Sequence, residues 1–192
     1  VHADGHFGVV ERSLKVPDES ECIEVQKTVS HQNLFVDINN GKKGLAIANK
    51  GLPEYEIYGE QEKTIAVTLI RSVGWLSRNT DNNNRRTFGG PTIPTSEAQC
   101  QGRFILEYAI IPHSGDWEEA QIPRIAREFT CIMKAVEVKN PSSELPTSMS
   151  FIELDSSSII LSAVKKAERE DALVIRIYNT GKREQNTILR LY

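Results

Sequence analysis

The chain has 192 residues, of which 39% are hydrophobic and 26% charged, and its formal net charge is −3. This length allows one large domain, or one domain with a small partner, without a stabilising disulfide or metal. Because both signs of charge are interspersed and no apolar run approaches about 18 residues, the composition argues against a nucleic-acid-binding protein, a protein of anionic membrane surfaces and a membrane-spanning protein.

Alternation of apolar and polar residues predicts strands along most of the chain. In chain order they are 6–11, 22–29, 33–38, 44–48, 54–58, 64–70, 104–111, 129–138, 149–154, 158–164, 173–178 and 187–192. Turn signals such as Asn39-Asn40-Gly41 stand between them. Many short strands separated in this way favour a β-sandwich over a βαβ fold.

Two segments depart from simple alternation. The run 104–111 is almost continuously apolar, which is typical of a strand covered on both faces. A short helical turn is predicted at 117–120, capped by Ser114 or Asp116 and limited by Pro123, with little helix elsewhere.

Two irregular stretches divide the chain. Residues 78–99 are polar and rich in Asn, Gly and Pro, and long loops of this kind are usually functional or disordered. We predict that this loop, 78–99, is poorly ordered in this chain. Residues 141–148 have the composition of a linker between a large sandwich piece at 1–140 and a small β-unit at 149–192.

The cysteines and the N-terminal residues bear on the cellular compartment. Cys22, Cys100 and Cys131 lie far apart and are odd in number, which argues against a disulfide framework. The first residues lack the basic start and apolar stretch of a signal peptide. A reducing, cytoplasmic location is therefore expected.

Five ordered segments carry a resemblance to a known family. They are GLPEYEIY at 51–58, TIAVTLIRSVGWLSR at 64–78, GPTIPTSEAQCQG at 90–102, YAIIPHSGDW at 108–117 and SFIELDSSSIILSAVKKAEREDALVIRIYNTG at 150–181. In this order they resemble the C-terminal β-domain of bacterial-type family 38 glycoside hydrolases, which are α-mannosidases. The resemblance covers nearly the whole chain. It implies an all-β fold, a galactose-mutarotase-like supersandwich with a small C-terminal β-sandwich unit.

The resemblance also implies what this chain lacks. Family members are retaining α-mannosidases whose Asp nucleophile and zinc ion lie in an N-terminal α/β-barrel domain, followed by a helical domain. We therefore expect this chain alone to be inactive and without a cofactor, with zinc in the missing catalytic domain. The implied partners are the catalytic and helical domains, an α-mannoside reached through the full enzyme, and further copies in a homo-oligomer. An autonomous carbohydrate-binding module is the alternative function.

Arg71, Trp75 and Arg78 are the candidate substrate-facing residues. They lead into the loop at 78–99, and in the family, loops of the β-domain reach the catalytic cleft. An aromatic face suits the apolar side of a sugar ring, and arginines offer fixed donors for hydroxyl groups or a carboxylate. The competing interpretation is that Trp75 is a core residue and that both arginines pair with surface acids.

Other chemically suggestive residues have a simpler structural explanation. His2, Asp4 and His6 share one face of a strand and could in principle bind zinc, but a frayed N-terminal strand is the preferred interpretation. Adjacent acids usually mark a solvated helix start, which accounts for Asp116, Glu118 and Glu119.

Cys100 has no evident partner histidine and is expected to be buried. Core positions are likewise preferred over a sugar-stacking platform for the aromatic residues Tyr55, Tyr108 and Trp117.

Overall fold

The computed structural model describes residues 1–15, 28–59, 62–76, 91–137 and 146–192. Strands account for 40% of these described residues and helix for 8%. Every strand pair in these ranges is antiparallel. The predicted all-β class is confirmed.

Twelve strands are seen in the described ranges, together with one α-helix and a short 3-10 helix. The strands are β1 (His2–Gly5), β2 (Gly8–Glu11), β3 (Val29–His31), β4 (Phe35–Asn39), β5 (Lys43–Asn49), β6 (Glu54–Tyr58), β7 (Thr64–Val67), β8 (Tyr108–Ser114), β9 (Ile152–Leu154), β10 (Ile159–Lys166), β11 (Leu173–Asn179) and β12 (Leu189–Leu191). The 3-10 helix is Ser96–Gln99, and α1 is Ile122–Thr130.

The first eight strands form two sheets. The larger has the order β2-β1-β4-β5-β8, and the smaller has the order β3-β6-β7. The β4–β5 turn falls at the predicted Asn39-Asn40-Gly41, where Asn40 Oδ1 accepts bonds from the backbone N–H groups of Lys42 and Lys43. Gly41 has φ 81°, a conformation that favours glycine.

The larger sheet buries residues on both faces, because neighbouring residues of a strand point in opposite directions. Phe35 and Val36 of β4 illustrate this, since each is fully buried in a different cluster. One cluster places α1 on the sheet: Phe35, Ala46, Ala48, Trp117, Ile122 and Ala126. The other joins the two sheets: Ala3, Val36 and Tyr55, with Ile47, Ile57 and Ile65 packed against them. The sandwich prediction is thereby confirmed.

The predicted helix is displaced. Residues 117–120 form a turn, and the helix is α1, which contains Pro123 in its first turn. Proline tolerates this place because the first helical N–H groups have no intrahelical acceptor in any case. Pro123 therefore lies in the first turn of a helix, where it was expected to mark a helix end.

Two strand predictions need correction, and one strand was not predicted. In the run 104–111 the strand begins only at Tyr108, and β8 alternates between exposed and half-buried residues instead of being covered on both faces. No strand is formed within 131–137, and the predicted strand 129–138 begins inside α1. Conversely, β1 was missed, since its polar sequence HADG shows no apolar alternation.

Strands β9 to β12 belong to the predicted C-terminal unit. They form two pairs, β10–β11 and β12–β9. Contacts join this unit to the preceding residues: Arg127 Nη2 lies 3.2 Å from Tyr178 Oη, and Lys182 Nζ lies 3.0 Å from Asp116 Oδ2. Most of the predicted linker 141–148 lies outside the described residues, so the domain boundary stays a prediction.

Among the residues that the structure describes, no helix has the length and hydropathy needed to traverse a bilayer.

Candidate functional site

The candidate substrate-facing residues Arg71 and Trp75 lie just beyond the end of β7. There, residues 72–76 run beside residues 93–99, and Trp75 forms an isolated antiparallel bridge with Pro94. We call these two stretches the Trp75 platform. Arg78 and the segment 79–90 lie outside the described residues, so the ordering prediction stays a prediction there. Residues 91–99 of the same loop do not fit it, since they contain the 3-10 helix and are hydrogen-bonded to residues 72–76.

Backbone hydrogen bonds hold the Trp75 platform together. Leu76 N–H donates to the carbonyl of Ile93 at 2.9 Å, and Thr95 N–H donates to the carbonyl of Gly74 at 2.9 Å. The Thr95 hydroxyl adds a bond to the carbonyl of Val73 at 3.1 Å. Bonds on both sides of Trp75 fix the backbone from which its side chain projects.

Trp75 is a surface residue. It is 44% exposed, and Leu76 and Ile93 beside it are also exposed. The interpretation of Trp75 as a core residue is therefore wrong for this chain. A fixed backbone with an exposed indole offers an apolar face to a ligand or to another protein surface.

Arg71 is held by an acid. Its Nη1 lies 3.0 Å from Glu54 Oε2, while the other carboxylate oxygen of Glu54 accepts a 2.8 Å bond from Thr68 Oγ1. The Arg71 side chain is nevertheless mostly exposed. This ion pair engages only Nη1 of the Arg71 guanidinium, so its other N–H groups remain available to solvent or a ligand.

A buried pair of Asp37 and His113 was missed by sequence reasoning. His113 Nε2 lies 2.6 Å from Asp37 Oδ2, and the Asn39 side-chain amide donates to Asp37 Oδ1. A histidine–carboxylate pair is a common acid–base device, but both side chains are buried and out of a substrate's reach. Their contacts tie β8 to β4 across Gly44 of β5, which indicates a structural role.

The zinc interpretation of His2, Asp4 and His6 does not fit. The His2 ring packs 5.6 Å from the Trp117 ring, Asp4 Oδ2 accepts a 3.1 Å bond from Leu34 N–H, and His6 lies in the turn after β1. The described ranges contain no group of three or more His, Cys, Asp or Glu able to hold a metal ion.

The N-terminal strand is also not frayed. β1 lies between β2 and β4 and pairs with both. Its central place explains why a polar residue such as Asp4 is buried there.

Burial raises the pKa of the Asp4 carboxyl above its ordinary value of 3.8, because desolvation outweighs the hydrogen bond from Leu34. Above the folded-state pKa, this buried charge therefore costs stability, and protonation removes the cost. We expect the stability advantage of Asp4→Asn over the wild type to grow as the pH rises from 3.8 through the folded-state pKa and to stay constant above it. Urea unfolding of both proteins across this range checks it. A stability difference that stays constant across the whole range would contradict the assignment.

Asp116 caps the turn that precedes α1. Its Oδ1 accepts 2.9 Å bonds from the backbone N–H groups of Glu118 and Glu119, and the bond from Glu119 is the main reason why the pKa of Asp116 is lowered. The structural interpretation of these acids thus agrees with their contacts.

The expectation of a buried Cys100 is wrong, since its side chain is exposed at the end of the 3-10 helix, where the chain leaves the Trp75 platform. The aromatic side chains Tyr55 and Trp117 are buried in different clusters, whereas Tyr108 is exposed on β8. They do not form one sugar-stacking surface.

The chain is similar to curated relatives that are about five to six times as long. It is 29% identical over 191 residues to a provisionally named mannosylglycerate hydrolase of Halalkalibacterium halodurans, covering 98% of this chain and 19% of that protein. It is 30% identical over 91 residues to alpha-mannosidase 2C1 of Mus musculus, covering 46% of this chain and 8% of that protein. No family model matches.

Two solved structures share the fold over nearly the whole chain. An α-mannosidase from Enterococcus faecalis gives a TM-score of 0.82 at 29% identity, covering 99% of this chain and 20% of that one. A glycosyl hydrolase family 38 protein from Enterococcus faecalis gives 0.78 at 28% identity, with the same coverage. The family 38 resemblance carried by the sequence motifs is thereby confirmed, and the chain corresponds to about one fifth of such an α-mannosidase.

Proposed function

We propose that this chain is the non-catalytic C-terminal β-part of a glycoside hydrolase that cleaves α-mannosides with retention. The observation that carries the proposal is the extent of the match. It covers 98–99% of this chain but only about one fifth of the length of the mannosylglycerate hydrolase and of the α-mannosidase. The names mannosylglycerate hydrolase and α-mannosidase both refer to a mannosyl group, which supports an α-mannoside as the substrate class of the full-length enzyme. The Asp nucleophile and zinc ion would lie in the other four-fifths.

The contacts of the described acids support a non-catalytic role. Retaining glycosidases need two carboxyl groups about 5–5.5 Å apart on either side of the scissile bond. The buried acids are engaged inside the fold, Asp4 with Leu34 N–H and Asp37 with His113. Asp155 accepts a 2.8 Å bond from Ile188 N–H. These acids serve the fold of this chain.

Exposed apolar residues support packing against the rest of the enzyme. On β8, Tyr108 and Ile110 are both more than half exposed, although they lie on a strand of the main sheet. Apolar surface of this kind usually marks an interface. We therefore place the catalytic and helical domains of the same polypeptide against this chain. Homo-oligomerisation of the full enzyme is part of the same proposal.

The Trp75 platform is our proposed contribution to the substrate cleft. Trp75 would stack on the apolar face of a sugar ring, while Arg71 and Arg78 would donate hydrogen bonds to hydroxyl groups or a carboxylate. The exposure of Trp75 and the fixed backbone around it support this role.

Kinetics of the full-length enzyme test the cleft role. We expect Trp75→Ala and Arg78→Ala each to lower kcat/KM about 10-fold on the natural α-mannoside, because each removes a contact to bound sugar. Trp75→Phe, which keeps an aromatic face, is the matched control and should lose less. Unaltered kinetics in both alanine variants would remove the cleft role and leave the packing role standing.

The non-catalytic assignment has its own assay. The isolated 192-residue chain should not hydrolyse an aryl α-mannoside that the full-length enzyme hydrolyses. Activity of the isolated chain would overturn the assignment. Calorimetric binding of mannose or mannobiose by the isolated chain would favour the alternative of an autonomous carbohydrate-binding module.

We propose a cytoplasmic location because the described cysteine thiols are free. Both described cysteines, Cys100 and Cys131, are free and exposed. Exposed free thiols suit a reducing compartment.

A further inference from the structure

Two segments with strand-like sequences, 103–107 and 131–137, contain no strand in the structure. Backbone hydrogen bonds between described residues leave out 103–106 and 132–137 entirely. Unpaired backbone N–H and C=O groups in an apolar sequence are the hallmark of a sheet edge that awaits a partner.

The side chains of these segments point to the same conclusion. Ile105 is 81% exposed, Ile132 82%, Val136 83% and Met133 96%. Single exposed apolar residues are ordinary, but several within two short segments cost hydrophobic free energy unless a partner covers them.

Lys50 contacts the end of one segment and the helix turn that precedes the other. Its backbone N–H donates to the carbonyl of Glu107 at 3.1 Å, and its Nζ lies 2.8 Å from the Glu107 carboxylate. The same Nζ lies 4.9 Å from the centre of the Phe129 ring, near the end of α1. Residues 103–107 thus enter β8, and residues 131–137 leave α1, at the same end of the molecule.

A cavity of about 530 Å³ opens at this end, lined by Lys50 and Thr130 among others. Gln32 and Asn49 also line it, and both are buried. Each amide is oriented by the backbone of Leu52, which accepts from Gln32 Nε2 and donates to Asn49 Oδ1. Gln32 Oε1 and Asn49 Nδ2 find no partner among the described residues. Such polar groups normally receive a partner or an ordered water when the fold is complete.

We propose that residues 103–107 and 131–137 form β-strands by pairing with strands from the other four-fifths of the full-length enzyme. We call these residues the unpaired segments. The inference rests on the proposed function, since it names the surface through which this chain joins the rest.

Strands are the partner that fits best. Among the described residues, the backbone groups of 103–106 and 132–137 have no backbone hydrogen-bond partner, and the apolar side chains of these segments are exposed. An added strand satisfies both, whereas a helix covers only side chains. The relatives supply the length: 20% coverage of the solved α-mannosidase leaves about 80% of that chain outside the match. A second copy of this chain is the competing occupant.

Hydrogen exchange followed by mass spectrometry tests the pairing, comparing the full-length enzyme with the 192-residue chain. In the full-length enzyme, amides of 104–106 and 132–137 should exchange at least about 100-fold more slowly than in the isolated chain. Peptides covering β5 serve as the internal control, and they should be protected in both proteins because β5 is paired on both sides.

Three outcomes overturn the proposal. Protection of the unpaired segments in the isolated chain that does not change with its concentration would mean that they pair within this chain. Fast exchange of the unpaired segments in both proteins, with β5 protected, would mean that these segments form no β-pairing in the full-length enzyme. Protection in the isolated chain that rises with its concentration would assign them to a second copy. None of these results touches the cleft kinetics of Trp75 and Arg78 variants, so failure here is distinguishable from failure of the proposed function.

Discussion

Replacing Gly44 with alanine is expected to destabilise the chain by about 2–4 kcal/mol. A Cβ at this position would overlap the buried His113 ring and lie 2.8 Å from Asn39 Cβ. Moving the ring away is energetically costly, because it breaks the 2.6 Å contact with Asp37 and leaves a buried carboxylate without its partner. Urea unfolding of wild type and variant measures the loss.

Gly8→Ala is the matched control for Gly44→Ala. Both glycines lie in strands of the larger sheet, but a Cβ at Gly8 meets nothing within 4 Å. Its effect should stay within about 0.5 kcal/mol. The loss at Gly44 should also shrink in a His113→Ala background, where the ring is gone. Equal losses at Gly44 with and without the ring would show that His113 is not the cause.

Replacing Trp117 with alanine is expected to cost about 3–5 kcal/mol, whereas Trp75→Ala should cost under about 1 kcal/mol. These are the two tryptophans of the chain. Trp117 is 2% exposed in the cluster that joins α1 to the larger sheet, while Trp75 is 44% exposed. Truncating Trp117 leaves a cavity in the core, whereas truncating Trp75 removes a side chain that is already largely exposed to solvent.

Thermal and urea unfolding of both tryptophan variants check this contrast. Trp117→Phe should recover part of the loss, since an aromatic ring still fills much of the space. A large loss for Trp75→Ala in this chain would contradict its surface position. It would also make a kinetic effect of Trp75→Ala in the full-length enzyme uninterpretable as a loss of substrate contact.

The local alternation of apolar and polar residues predicted where most strands lie, but in most cases it did not predict where they begin and end. The pattern at 54–58 predicted β6 with its observed bounds, because alternation in EYEIY reflects one face packed against the larger sheet. The run 104–111 and the segment 129–138 carry equally strong patterns, yet neither is fully paired in this chain. A sequence pattern indicates the kind of neighbour that a segment is suited to pack against or pair with. For residues 104–107 and 131–137, the described residues contain no strand that pairs with them.

The candidate site was predictable only in part. The loop position and residue types singled out Arg71 and Trp75, and the structure places both beyond β7. Nothing in the sequence indicated that Glu54 would pair with Arg71, since the two are 17 residues apart and meet only because β6 and β7 lie side by side. The same holds for Asp37 and His113, which are 76 residues apart.

The sequence by itself determined the all-β class, the turn at Asn39-Asn40-Gly41 and the family resemblance, because these depend on local periodicity and short motifs. Only the tertiary structure decided which residues are buried. It buried Tyr55 and Trp117 but exposed Tyr108, although core positions were expected for all three, and it placed the polar strand β1 between two strands of the larger sheet. Burial depends on which strands and helices lie over a residue, and that is set by contacts between residues far apart in the chain.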